Sequence, residues 1–382
     1  MKIVIAPNAL KGSLSASEAA EAMLAGVRQA APGAELVALP VADGGDGFTA
    51  VLVDALEAVP KRRTVSGPVG QAVDATWLYS ERNRVAVIEM AAAAGLVLLD
   101  PAQLAPVTAN TRGVGELILA ALEQGAQRIV LGIGGSATND GGMGMAQALG
   151  AVFLDNQGKP LEPGGDSLID IAAIDTTGLD PRLKQVNIQV ICDVDNPLLG
   201  DRGAVRVFGP QKGATPQQVE ELEAGMEHLV DVLDAQLGID VRNVPGAGAA
   251  GGLGAGAIVF LDAELQPGAE VVLDLLGFDE VLKGADLVFT AEGQLDGQTA
   301  FGKAPAAVAQ RSRAAGIPCI AIAGSLGEGV EDLAAVGIDA AYSLCDGPVS
   351  LADAMANAAK LIKATATQAM NTFLAGHRAG IL

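Results

Sequence analysis

The chain opens on a four-residue apolar run, Ile3 to Ala6, followed by a loop, a helical stretch and a second short apolar run, Leu36 to Leu39. Short, wholly apolar strands alternating with helices leave few options. A strand buried on both faces needs helices above and below it, and parallel neighbours need a crossover connection, which together define an α/β sheet. Ser15 and Glu18 make a Ser-x-x-Glu capping box that predicts a helix running toward Pro32 and Gly33. Pro40 stops the second strand. The last third repeats the rhythm: Leu287 to Phe289 as strand, ending near Thr290; Ala304 to Ala315 as helix, closed by Gly316; then Ile320 to Ala323 and Ala340 to Ser343 as strands. Both chain ends are thus predicted to build one Rossmann/flavodoxin-like parallel-sheet domain, residues 1–60 plus 280–382.

At 382 residues the chain exceeds one typical domain of roughly 100 to 200 residues, and the middle reads differently. Gln71 to Tyr79 and Arg84 to Glu89, joined by a polar turn, predict an antiparallel hairpin. Val114 to Leu122, Ile129 to Leu131 and Met143 to Leu149 return to helix, strand, helix. Thr215, Pro216 and Gln218 supply an N-cap, an N1 proline and a capping-box glutamine for a helix from Pro216 to Leu237, ended by Gly238. Residues 61–279 are therefore expected to form a second, mixed α/β domain inserted into the first.

Net charge excludes some functions. Lys plus Arg total 24 against 45 Asp plus Glu, so the chain carries −21 and suits neither nucleic acid nor an anionic membrane surface. An anionic substrate must be held by a few local cations. Three dispersed cysteines, Cys192, Cys319 and Cys345, suggest neither a disulfide framework nor a zinc site and fit a reducing cytoplasm. The apolar run at the N-terminus is far shorter than a signal-peptide core, so a cytoplasmic location is expected. The uncharged stretch Val244 to Leu261 holds Pro245 and six glycines and reads as a backbone-lined loop entering a buried helix, not as a membrane span.

Glycine, 49 residues, gathers beside carboxylates, amides, hydroxyls and lysines in five loops: Pro7 to Ser13, Asp43 to Gly47, Gly132 to Gly142, Gly209 to Gly213 and Glu292 to Lys303. Such loops let backbone N–H groups approach anions, above all where a helix follows; they also make ordinary tight turns after strands. Two motif matches are incomplete. Gly297, Gly302 and Lys303 have P-loop spacing, but Ala304 stands where the magnesium-binding hydroxyl belongs. Gly132, Gly134 and Ala137, with Asp155 beyond the next strand, imitate a dinucleotide fingerprint, yet helix onset comes late, past Asn139 to Gly142. The only histidines, His228 and His377, lie on an acidic helical face and in the tail, so acid/base and metal roles fall to carboxylates. Lys11, Lys212 and Lys303 each sit inside one of the five loops. Cations for phosphates, carboxylates for Mg²⁺ and a base for an attacking hydroxyl are the parts of phosphoryl transfer.

In order along nearly the whole chain, APNALKGSLSA (6–16), PVADGGDG (40–47), TRGVGELI (111–118), GIGGSATNDGG (132–142), LDPRL (179–183), DVDNPLLG (193–200), VFGPQKGA (207–214), PGAGAAGGLGAG (245–256), and AEGQLDGQ with GKAP (291–305) resemble the bacterial glycerate kinase family. The resemblance implies ATP and Mg²⁺, D-glycerate as the small-molecule substrate, 2-phosphoglycerate as product and a site between two α/β domains. On that basis Lys11, Asp43, Asp193 and Lys303 are the expected catalytic residues, with Lys11 and Lys303 on phosphates. Asp193 and Asp195 are expected at Mg²⁺ or as base, with Asp43 as competitor. Lys212 or Arg112 would hold the glycerate carboxylate. Ser136, Thr138, Asn139 and Asp140 would cradle a phosphate, and Asn8, Gly44, Gly45, Gly134, Gly135, Glu292, Asp296 and Gln298 complete the expected binding set. Asn8 and Ala9 stand where the family usually has Asp and Ser, Asp46 and Phe48 where it has Glu and Thr, and Ala291 where it has Gly. Two other readings remain: a nicotinamide-dependent oxidoreductase of a small hydroxy acid using Gly132, Gly134, Ala137 and Asp155, and a noncatalytic binder of a small acid.

Overall fold

A computed structural model describes the chain except for residues 44–47, 301–302, 346 and 379–382. The strands, in chain order, are β1 (Lys2–Ile5), β2 (Glu35–Ala38), β3 (Val59–Ser66), β4 (Ala72–Ser80), β5 (Val85–Glu89), β6 (Arg128–Gly132), β7 (Val152–Leu154), β8 (Ala173–Asp175), β9 (Asn187–Ile191), β10 (Glu264–Gln266), β11 (Leu287–Leu295), β12 (Cys319–Leu326) and β13 (Ala340–Ser343). The chain divides into two compact units: Met1–Leu56 with Pro267–Leu382, and Glu57–Gln266. The return to the first unit falls at Pro267 and not near 280, because Ala269, Leu273 and Phe278 pack into its core against Val288 and Val308.

The first unit is a five-stranded, all-parallel sheet in the order β13-β12-β11-β1-β2, the flavodoxin-like arrangement predicted from the two chain ends. Strand alternation explains its layers. Ile3 and Ile5 point to a core shared with Met23 of helix Ala16–Ala30 and Ile362 of helix Ala358–Arg378, while Val4 and Ala6 meet Val308 and Leu273 on the opposite face. The predicted capping box is present: Ser15 Oγ accepts from Glu18 N at 3.2 Å, and Glu18 Oε2 accepts from Ser15 N at 2.9 Å. The strand expected to end near Thr290 runs on to Leu295, paired with β12 through Leu295↔Leu326. Two glycines permit this, since a Cβ on Gly324 would stand 2.5 Å from the Gly293 carbonyl oxygen.

The second unit holds a six-stranded mixed sheet in the order β10-β9-β6-β5-β4-β3 and a separate two-stranded sheet, β7-β8. The predicted hairpin is β4-β5. It is extended by β3, a polar edge strand whose Pro60 is tolerated because an edge needs no second ladder. Helices Arg112–Glu123 and Pro216–Leu237 form as expected, the latter with its Thr215/Gln218 box and a left-handed Gly238.

The glycines of 245–256 serve packing. Helix Ala249–Leu261 begins with a left-handed kink at Ala250, Gly251 and Gly252, and this kink lies against the 138–142 loop. Gly141 N donates to Gly251 O at 3.1 Å. A Cβ on Gly251 would fall 1.9 Å from Thr138 O, one on Gly252 2.9 Å from Gly141 Cα, and one on Gly256 2.6 Å from Gly141 O. Gly251→Ala meets both a positive φ and a backbone clash, so it should destabilise the protein on the order of 3 kcal/mol in denaturant titrations. Gly134→Ala, where a Cβ meets nothing within 4 Å, should stay within about 1 kcal/mol. Equal effects at the two positions would contradict the interlock.

Candidate active site

In the first unit, strand order reverses at β1, whose neighbours are β2 on one side and β11 on the other. In open parallel sheets the carboxyl ends of two such strands, with connections leaving to opposite faces, frame a crevice where ligands bind. Here Asn8, Lys11, Asp43, Glu292 and Lys303 line one crevice of about 850 Å³. Three of the five glycine-rich loops therefore contribute to one opening. Asn8 fixes their register: its backbone N donates to Ala291 O at 2.9 Å, its Oδ1 accepts from Ala9 N at 2.8 Å, and its Nδ2 donates to Asp43 Oδ2 at 3.1 Å. An amide can do all this because it donates and accepts at once, which a carboxylate facing Asp43 could not.

Charge in the crevice is unbalanced. Lys303 Nζ lies 3.8 Å from Glu292 Oε1, while Glu292 Oε2 is buried without a hydrogen-bond partner. Burial pushes the Glu292 carboxyl up to about 7; Lys303 opposes the shift, and the Asp43 and Asp296 charges add to it. Lys303 is also the N-cap of helix Ala304–Ala314, so the crevice borders the positive end of that helix. Asp296 accepts from Gln294 Nε2 at 3.2 Å. Gly44, Gly45 and the neighbouring Asp46 lie outside the described residues, as does the Gln298 side chain.

In the second unit the four residues expected to cradle a phosphate, Ser136, Thr138, Asn139 and Asp140, are all buried. The Asp140 carboxylate is fully buried and accepts from Thr111 N and Oγ1 at 2.8 Å each, Gly144 N at 3.0 Å and Gly142 N at 3.2 Å. It braces the turn into helix Met143–Ala148. Lys212, 1% exposed, donates to Thr138 O at 2.7 Å, and Asn139 Nδ2 donates to Pro106 O at 3.0 Å. Lys212 and Asp140 thus hold the loop from within, while Thr138 Oγ1 and Asn139 Oδ1 are buried without a hydrogen-bond partner. Gly134 and Gly135 are exposed, and Ser136, although buried, bridges to Gly95. Arg112 pairs with Glu116 at 3.3 Å at the start of its helix and remains half-exposed. Asp193 and Asp195 follow the carboxyl end of β9 and are exposed, but Asp195 gives both oxygens to Arg202 Nη2, at 2.8 and 3.0 Å.

The nicotinamide reading loses its acid. Asp155 follows β7, which belongs to the small β7-β8 sheet, and its Oδ1 accepts from Gln157 N and Lys159 N in a local turn. The helix after Gly132 begins only at Met143. Sequence reading missed Thr111, whose hydroxyl both donates to Asp140 and accepts from Met145 N, because a threonine before a helix signals only a cap.

An α/β protein with lysines and carboxylates converging at the switch point of a flavodoxin-like sheet is the class that this geometry defines. The Glycerate kinase family model matches residues 3–374. The chain is 48% identical to the glycerate kinase of Halalkalibacterium halodurans, over 95% of this chain and 96% of that one, and 48% identical to the glycerate 2-kinase of Escherichia coli, over 90% of each. A crystal structure assigned to glycerate kinase 2 of Salmonella typhimurium LT2 superposes with a TM-score of 0.87 at 45% identity, covering 99% of both chains. The chain belongs to the glycerate kinase family, and it is an enzyme of the kinase class. No helix among the described residues is long and apolar enough to cross a membrane.

Burial pushes the Lys212 ammonium down to about 7, with Asp140 opposing the shift. The folded protein then binds fewer protons than the unfolded chain between that value and the ordinary lysine range near 10.4, so Lys212 makes stability rise with pH across that window. Subtracting the unfolding free energy of Lys212→Met from that of the unchanged protein should give a difference that grows from pH 7 to pH 10. A flat difference would mean that Lys212 is solvated.

Proposed function

We propose that this member of the glycerate kinase family, an ATP-dependent kinase of glycerate, transfers the γ-phosphate directly to the 2-hydroxyl of D-glycerate, giving 2-phosphoglycerate and ADP. The observation that carries the site assignment is the crevice at β1 and β11, where Lys11 and Lys303 stand among glycine-rich loops in an otherwise strongly acidic chain. In phosphoryl transfer the protein's main tasks are positioning and offsetting charge on the moving phosphoryl oxygens. Lys303, at a helix N-terminus, and Lys11, on the loop after β1, bind the phosphates. Asn8 keeps that loop and Asp43 in place.

Mg²⁺ fits the same crevice by donor chemistry. Asp43 and Glu292 offer the hard oxygen ligands that the ion takes, and the partnerless Glu292 oxygen would be offset by a cation arriving with the nucleotide. Among the described residues no three such side chains form a ready cage, which agrees with a Mg²⁺ held by one or two carboxylates and substrate phosphates. When bound, the ion would neutralise phosphate charge. Asp195 suits it less, because both its oxygens are engaged by Arg202. Asp193, exposed beyond β9, is the candidate to accept the hydroxyl proton, and Arg112 the candidate cation for the glycerate carboxylate. A cytoplasmic location follows from ATP as co-substrate.

³¹P NMR of D-glycerate, ATP and Mg²⁺ with the protein tests the reaction: the phosphomonoester signal of 2-phosphoglycerate is expected, and 3-phosphoglycerate, or no glycerate-dependent ADP, would overturn it. Lys303→Ala should lower kcat by roughly 10² or more with an unchanged thermal transition. In the presence of ADP, Glu292→Gln should weaken Mn²⁺ binding, read by electron paramagnetic resonance, by about tenfold; unaltered Mn²⁺ affinity would remove Glu292 from the metal.

A further inference from the structure

The crevice continues into a second cavity of different character. About 300 Å³ in volume, it is mostly apolar and lies at the carboxyl-end portion of β12 and just past β13, where Gly324, Ser325, Leu344 and Cys345 meet Val349, Leu351 and Met355. Leu10, Lys11, Ser13, Gly293, Ser325 and Leu351 line both cavities, so the two are one continuous surface that changes from charged to apolar at Lys11.

Three large apolar side chains on its rim are left to water: Leu351 is 77% exposed, Val349 43% and Met355 36%. Singly exposed apolar residues need no explanation, but three around one cavity, over a floor of buried Leu10, Leu344 and Ala358, make a patch that an apolar ligand would cover. The rim is also tied to the loop after β1. Ser13 Oγ donates to Met355 O at 3.0 Å, and Gly12, in a left-handed conformation, leaves room for the Met355 methyl, which a Cβ there would approach to 3.1 Å.

We infer that this cavity holds the base and sugar of the nucleotide, with the polyphosphate running past Lys11 into the crevice of Glu292 and Lys303. The inference rests on the kinase reading and adds the place of the base. Of the two reactants only ATP has a large, flat, weakly hydrated part. Glycerate has three carbons and an oxygen function on each, and gains nothing from an apolar wall. The volume is at the lower end of those that enclose small ligands, sufficient for a nucleoside and generous for glycerate. The position also follows the sheet: phosphates lie at the switch point and the base at the neighbouring strand ends.

Calorimetric titration with ADP and, separately, with inorganic tripolyphosphate tests the placement, because tripolyphosphate has the charges and lacks the base. In Val349→Gln and Met355→Gln, which touch only the apolar cavity, ADP should bind about tenfold more weakly, some 1.4 kcal/mol, with tripolyphosphate affinity unchanged. Val349 is exposed enough that its replacement does not threaten the fold. ADP and tripolyphosphate weakened equally, both unaffected, or no ADP binding to the unchanged protein would each overturn the inference. Failure of the kinase reading is separate: it appears as absent glycerate-dependent ADP formation, whereas these titrations contain no glycerate. Should the rim instead bury itself against a second copy of the chain, sedimentation would show a dimer that Val349→Gln dissociates with ADP affinity unaltered, again overturning the inference.

Discussion

Strand order in the first unit reverses at β1, and the charged crevice beside it depends on that reversal. Because β1 sends its helix toward β2 while β11 sends its own toward β12, the loops after β1 and β11 part and leave a crevice between them. Lys11 and Lys303 are in that crevice because they follow those two strands, and Glu292 because it lies toward the carboxyl end of β11. Asn8 then joins the walls, bonding by backbone to Ala291 and by side chain to Asp43. In a chain of net charge −21, two lysines gather there beside Asp43 and Glu292, so cations and carboxylates meet at one opening.

Glycine has a different task in the second unit. Gly142, Gly251, Gly252 and Gly256 let two backbone segments interlock at distances that no side chain would permit. Asp140 and Lys212 complete the joint from inside, one accepting four hydrogen bonds and the other donating to Thr138 O. A buried carboxylate supplied with four donors braces a loop at modest cost; stripped of them it would be a severe liability. The same composition lines a charged crevice in one unit and forms a packing joint in the other.

Much of this was legible in the sequence. Apolar runs and caps gave the strand–helix rhythm, the hairpin and the assembly of one sheet from both chain ends, because period and capping chemistry are local. Motif resemblance named the family. The division of labour among glycine loops was not legible: Gly134 and Gly251 look alike in sequence, yet one faces solvent and the other the Thr138 carbonyl. Burial separates the two, and it arises from contacts between residues as distant in the chain as Lys212 and Thr138. The apolar cavity was also invisible, because Leu10, Leu344 and Met355 are far apart in the chain and ordinary as residue types.

The central claim is that the first unit's switch-point crevice binds the nucleotide polyphosphate while the 138–142 loop is structural. Hydrogen–deuterium exchange with and without a nonhydrolysable ATP analogue and Mg²⁺ tests it directly. The account predicts new protection in the backbone of 8–13 and 292–303, with the 138–142 amides already protected and unchanged. Protection arising instead at 132–142 or 209–213, with the loops after β1 and β11 unaffected, would contradict it.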